Sequence, residues 1–264
     1  MAQLPPSLTD AALGVLSEPD PAQKVRLTYA YAQAWRDGTI ANVGDTPPPA
    51  RPARPDKPEL VSPGDMPKRS TGGGKRRLAL LHAIAHIELN AIDLGWDIVS
   101  RFADPDLPRA FYDDWVTVAE DEARHFEMLC QRLTELGAHY GEFPAHDGLW
   151  EAADKTADDL LARLALVPMV LEARGLDTTP ATVAKLNANG DTATASLMAE
   201  IADDEISHVA AGVRWFEHVC GVRALEPVAT FKALVSERFR GPLKPPFNTE
   251  ARDHAGMARS YYEP

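Results

Sequence analysis

Two stretches decide the reading of the fold: Ala119-Glu120-Asp121-Glu122-Ala123-Arg124-His125 and Ala202-Asp203-Asp204-Glu205-Ile206-Ser207-His208. Each holds Glu-x-x-His inside sequence with helical periodicity. Residues three apart share a helix face, so each Glu and His can hold one metal ion together. With 17 glutamates and 8 histidines in 264 residues, chance placement gives about 0.5 such pairs, and the chain has two.

A lone glutamate precedes each motif. Glu88 lies 34 residues before Glu122, and Glu172 lies 33 before Glu205. The midpoint of the first interval is Asp104-Pro105-Asp106; that of the second is Asn187-Ala188-Asn189-Gly190. Both are helix breakers. A helix that doubles back at its midpoint brings equidistant residues to the same depth. Each lone glutamate is therefore expected to meet its Glu-x-x-His across an antiparallel helix pair.

The faces agree. Glu88 shares its stripe with Leu81, Ile84, Ile92 and Val99, and Glu122 with Phe111, Trp115, Val118 and Phe126. Glu172 falls with Leu161, Ala165 and Met169, and Glu205 with Met198, Ile201, Val209 and Phe216. All four carboxylates point into apolar, core-facing stripes whose middles lack Lys and Arg. An ionised carboxylate is costly to bury unless it is paired or bound to metal. Four carboxylates and two histidines in one core call for two divalent cations.

Working outward, four long helices are predicted at about 75–102, 108–137, 151–175 and 191–220, forming a bundle over 75–222. Residues 8–17 and 21–36 read as two short helices, the second capped by Asp20 with Pro21 at its first position. Residues 46–74 are crowded with proline and glycine and read as an extended connector, so 1–74 forms an N-terminal extension. A shorter helix is expected from Pro180 to about 188, and another near 226–239. The C-terminal extension, 223–264, is otherwise expected to be mostly irregular, with one helical turn. Alternating strand patterns are scarce, so the fold class is all-α.

Composition bounds the function. The chain is 45% hydrophobic and 25% charged, with net charge -12. It can build a substantial core and lacks a global basic footprint for nucleic acid. Cys130 and Cys220 cannot make a disulfide scaffold and read as buried thiols. No stretch approaches the ~20 apolar residues of a membrane span. The start, MAQLPPSLTD, lacks the pattern of a signal peptide. A cytoplasmic location is expected.

Three further features stand out. His82 and His86 are spaced i, i+4 but lie on a different face from Glu88, and are read as polar contacts to the N-terminal extension. Residues 68–77, KRSTGGGKRR, hold five basic residues and no acid. The string fails as a phosphate-binding loop, because Lys75 is not followed by Ser or Thr. It offers an anchor for an anionic group or for an acidic surface of the chain itself. Pro168, four residues before Glu172, is expected to open a kink beside the site.

These motifs resemble the ferritin-like carboxylate-bridged di-iron superfamily, in which two helices each supply a Glu and two supply Glu-x-x-His. Asp121-Glu122-Ala123-Arg124-His125 matches the Asp-Glu-x-Arg-His motif of the di-iron oxygenases. Asp204-Glu205-Ile206-Ser207-His208 departs by carrying serine in place of arginine. His86-Ile87-Glu88-Leu89 with Ala91-Ile92-Asp93-Leu94, and Glu172-Ala173-Arg174-Gly175-Leu176-Asp177, resemble the bacterial ferritin-like family called domain of unknown function 455 over about 20–257. That family is related in fold to the tRNA hydroxylase acting on 2-methylthio-isopentenyladenosine.

The resemblance implies a ferritin-like four-helix bundle and two metal ions per chain, iron first, with manganese or a mixed Mn/Fe pair compatible. Its ligands would be Glu88, Glu122, His125, Glu172, Glu205 and His208. Glu122 and Glu205 would bridge, and Glu88 and Glu172 would be terminal. Asp121 and Asp204 would orient the ligand histidines, and Arg124 would pair beside them. The implied activity is a dioxygen-activating hydroxylase or oxidase of an organic or tRNA-like substrate, with an electron donor and no membrane partner. The alternatives are iron storage or detoxification of the bacterioferritin kind and a non-redox metal-binding role. Oligomeric state is left open.

Overall fold

A computed structural model describes residues 4–239 and 241–263. Met1–Gln3, at the head of the stretch read for a signal peptide, and Pro264, the last residue of the tail, lie outside the described residues. The chain is all-helical: among the described residues the nearest thing to a strand is a parallel bridge between Leu60 and Ala145. It divides into two compact units, Met1–Asp147 and Gly148–Pro264.

The first unit is built on α3 (Lys75–Arg101) and α4 (Arg109–Glu135). Between them, 102–108 carries the Asp104-Pro105-Asp106 breaker, and the Leu107 N–H closes a turn on the Asp104 carbonyl at 3.1 Å. The helices run antiparallel and close: a Cβ on Gly95 would meet Ala119 Cβ at 2.8 Å, so only glycine fits there. Seven residues back from Gly95 stands Glu88, and six forward from Ala119 stands His125.

α1 (Leu8–Leu16) packs on α3 and α2 (Pro21–Arg36) on α4. Asp20 caps α2 by accepting the Gln23 N–H at 2.8 Å, as its sequence predicts. The connector is fastened along its length. The Ala53 N–H donates to the Leu16 carbonyl at 2.7 Å, Arg101 donates to the Pro49 carbonyl at 3.3 Å, and the Val61 N–H donates to the Ala145 carbonyl at 2.8 Å. Arg54 and the fully buried Lys24 both pair with Asp93 of α3, itself fully buried, and Arg54 also donates to Asn90 at 2.5 Å. One buried carboxylate thus ties the extension and the connector to α3.

α3 reaches the length and mean hydropathy of a membrane span, which sequence reading did not anticipate. Its apolar window is 78% buried inside the protein, where it acts as a core helix.

In the second unit the third long segment differs from its expected form. A short α5 (Gly148–Asp154) precedes α6 (Leu160–Leu166), a π-helical stretch (Val167–Glu172) and α7 (Ala173–Ala188) in one continuous run. The expected break at Pro180 is absent. Pro180 has no N–H to offer the Leu176 carbonyl, but Asn248 Nδ2 donates to that carbonyl at 3.2 Å and α7 runs on. The helix ends where expected, at Asn189-Gly190, with Gly190 at φ +79. α8 (Thr192–Val222) then returns along it. A Cβ on Gly212 would lie 2.5 Å from Pro168 Cβ, so this glycine lets α8 close on the π stretch.

The tail is more ordered than expected. After α9 (Pro227–Arg238) come α10 (Thr249–His254) and α11 (Arg259–Tyr262). Arg252 is buried and grips Asp177 of α7 with two bonds, Nε to Oδ1 at 2.9 Å and Nη2 to Oδ2 at 2.7 Å. That fork-to-fork pair needs residues 75 apart, so local sequence does not announce it.

Candidate metal centre

The first unit brings three of the expected residues together. Glu88 on α3 and Glu122 and His125 on α4 are all buried. His125 Nδ1 stands 3.5 Å from Glu88 Oε2 and 3.5 Å from Glu122 Oε2. One donor atom from each lies within 4.8 Å of the others. The regular α-helical backbone explains the geometry: Glu122 and His125 share a face one turn apart, and the Gly95–Ala119 approach sets Glu88 opposite them.

The donor set fits a metal ion. Atoms ~2.1 Å from one ion stand ~3–3.5 Å from each other, whereas a good N–H···O bond is shorter than the 3.5 Å seen here. Charge points the same way. Burial alone would depress the His125 pKa, yet the Glu122 and Glu88 carboxylates hold it up at about 11. The pocket is so anionic that an imidazole, normally neutral, keeps a proton there. This buried cluster of Glu and His can bind a metal ion in that proton's place.

The second unit repeats part of the pattern. His208 is buried, with Nδ1 3.5 Å from Glu205 Oε2 on the same turn of α8. Glu172 closes the π stretch that packs against α8. It is half-buried, and its Oε2 is sealed from solvent. The kink expected from Pro168 takes the form of this widened helix, which places a ligand candidate at its last residue.

Among the supporting residues, Arg124 pairs with Asp121 at 3.1 Å along α4, both partly exposed. Asp204 lies half-buried on α8.

His82 and His86 differ from their reading. Their hydrogen bonds go to the loop after α4, while the charge of Arg54, in the N-terminal extension, acts on His86. The Gly141 N–H donates to His82 Nε2 at 2.8 Å, and His86 Nδ1 is 2.8 Å from the Tyr140 hydroxyl. His82 stacks on Tyr140 at 5.1 Å between centroids. Burial pushes His82 down to about 4 and His86 to about 3, so both are neutral. Cys130 and Cys220 are free thiols, and burial pushes Cys130 up to about 12, far from a reactive thiolate.

Sequence reading missed the two buried ion-pair hubs, Asp93 with Lys24 and Arg54, and Asp177 with Arg252. Both aspartates sit in the quoted stretches Ala91-Ile92-Asp93-Leu94 and Glu172 to Asp177. An acid in an apolar stripe was the available signal.

Residues 17–263 match the family described as Protein of unknown function (DUF455). An uncharacterized protein of Haemophilus influenzae is 44% identical over 212 residues, covering 78% of this chain and 74% of its own. No solved structure matches the chain. With both motifs and both lone glutamates inside the matched residues, the chain belongs to the DUF455 family.

Proposed function

We propose that the chain is a ferritin-like, dinuclear-metal oxidoreductase that activates dioxygen to hydroxylate or oxidise an organic substrate. The observation that carries this reading is the buried Glu88–Glu122–His125 trio, set beside the repetition of its ligand types in Glu172, Glu205 and His208. Six such ligands shared by two ions leave each ion open positions. Iron held by this mixture of carboxylate and imidazole supplies the electrons that reduce dioxygen.

The chain's own residues do the rest. Glu122 and Glu205 would hold the metal as the shared carboxylates, with Glu88, Glu172, His125 and His208 as the remaining ligands. The apolar stripes around them would exclude water from the site. Asp121 and Arg124 brace α4 one position from its ligands. An external donor returns the electrons.

The test is to load metal-free protein with iron(II) without oxygen, count bound iron, then admit oxygen. The expected result is two irons per chain, dioxygen consumption on mixing, and no rise in light scattering under excess iron. Growth of large iron-rich particles would replace this reading with storage. Two bound metals with no oxygen uptake would replace it with a non-redox role or a manganese cofactor. Metal analysis of protein from a host replete in both metals separates those two.

A further inference from the structure

The run from Met66 to Ile87 contains no acidic residue, although the whole chain carries net charge -12. Five cations fall between Lys68 and Arg77. The fold concentrates them. Gly72-Gly73-Gly74 reverses the chain, with Gly74 at φ +73, and the Ser70 N–H donates to the Arg76 carbonyl at 3.3 Å. That bond folds Lys68 and Arg69 back against Lys75 and Arg76. All four side chains are exposed, and none is engaged in an ion pair with a described residue.

Elsewhere in this unit most arginines are paired with an acid: Arg36 with Glu120, Arg51 with Asp147, Arg54 with Asp93, Arg101 with Asp97 and Arg132 with Glu135, while Arg26 bonds Gln23. In an acid-rich chain, what sets this loop apart is that four such cations fall within nine residues that hold no acid. Their placement is also unfavourable in itself. Lys75, Arg76 and Arg77 occupy the first turn of α3, where the helix dipole disfavours cations. A bound polyanion reverses the sign of that cost.

We infer that the Lys68–Arg76 loop is a docking surface for the phosphate backbone of a nucleic acid. The cations are exposed, with no acid among them, and complement the repeated negative charge of a phosphate backbone. The contact positions the partner and carries no base sequence information. This inference is independent of the metal reading and is tested on full-length protein freed of metal, so the two fail separately.

The probe is a fluorescently labelled RNA hairpin, followed by anisotropy across a salt series. Four phosphates engaged give a log–log salt slope of about -3, so doubling the salt weakens binding about 7- to 12-fold. The variant Lys68→Glu/Arg69→Glu/Lys75→Glu/Arg76→Glu should lose at least about 10-fold in affinity at low salt and flatten the slope. The same four positions changed to Gln give a gentler loss of the same kind, and both variants should keep the parent's circular dichroism. The control reverses four exposed cations elsewhere: Lys57, Lys185, Lys244 and Arg259. It should keep most of the binding.

No RNA binding by the parent chain would overturn the proposal. So would equal losses in control and loop variants. So would binding to phosphatidylserine-containing vesicles or to polyglutamate in the absence of RNA binding.

Discussion

The two units carry the same ligand types on different backbones. In the first, Glu88, Glu122 and His125 stand on unbroken α-helices that touch through Gly95 and Ala119, and all three are buried. In the second, Glu205 and His208 stand on the regular α8, but Glu172 closes a six-residue π stretch opened by Pro168 and is half-buried. A proline in a helix interior removes one ladder bond, and the widened turn absorbs the loss. Such turns concentrate at functional sites because they re-aim one side chain without ending the helix. On the proposed reading, the contrast would give the first trio a stiff holding role and Glu172 an adjustable one.

The largest expected effect tests whether the two sets act as one. If Glu122 and Glu205 both bridge, Glu122→Ala and Glu205→Ala should each lower metal content from two to below one per chain. Elemental analysis after equilibrium loading reads this directly. Two ions retained in both variants would show two independent sites or none at these residues. Uptake should also tighten as pH rises, because binding must displace the proton that Glu122 and Glu88 hold on His125 up to about 11.

Next in size are the buried ion pairs, one hub in each unit. Asp93→Ala strands Lys24 and Arg54, and Asp177→Ala strands Arg252. Removing one member of a buried pair costs about 3–5 kcal/mol. Urea unfolding should show both losses. Asp177→Ala should also weaken metal retention, because Asp177 anchors the helix that begins just after Glu172. Losses below about 1 kcal/mol would mean that these pairs behave as surface salt bridges do.

A smaller effect separates the two close approaches. Gly95→Ala must push against Ala119, and Gly212→Ala against Pro168, each costing about 1–3 kcal/mol by overpacking. At matched loss of stability, Gly212→Ala should reduce metal affinity more, since it displaces the stretch that aims Glu172. Equal effects on metal binding would remove the distinction between a stiff and an adjustable side.

Much of this organisation was legible in sequence. The helix ends at Asp104-Pro105-Asp106 and Asn189-Gly190 could be read because breakers act locally. The first trio could be read because Glu-x-x-His and its apolar stripe are periodic. What escaped depended on distant partners. Pro180 reads as a helix start because nothing nearby shows that Asn248 will satisfy the Leu176 carbonyl. The tail was read as irregular because its order comes from Arg252 reaching Asp177. Pro168 signalled a distortion, while its π form depends on Gly212 admitting the widened turn.

The last effect appears only in acid, and it falls on the first unit. His82 is fully buried on α3, stacked on Tyr140, and its Nε2 accepts the Gly141 N–H. The proton of the neutral ring is therefore on Nδ1, and a second proton would set a donor against a donor. Burial lowers its pKa to about 4, against about 6.5 in the unfolded chain. Between those values the unfolded state takes up a proton that the folded state refuses. The contribution of His82 is thus full above pH ~6.5 and is lost as pH falls toward ~4. The second unit has no counterpart among its described residues, since His218 and His254 are exposed and His208 belongs to the motif. Urea midpoints measured across this window should fall more steeply for the parent than for His82→Gln, which keeps an acceptor for the Gly141 N–H but cannot titrate. The difference in slope should approach one proton. Parallel curves would show that His82 takes its proton without opening the loop after α4, and that the first unit's acid sensitivity lies elsewhere.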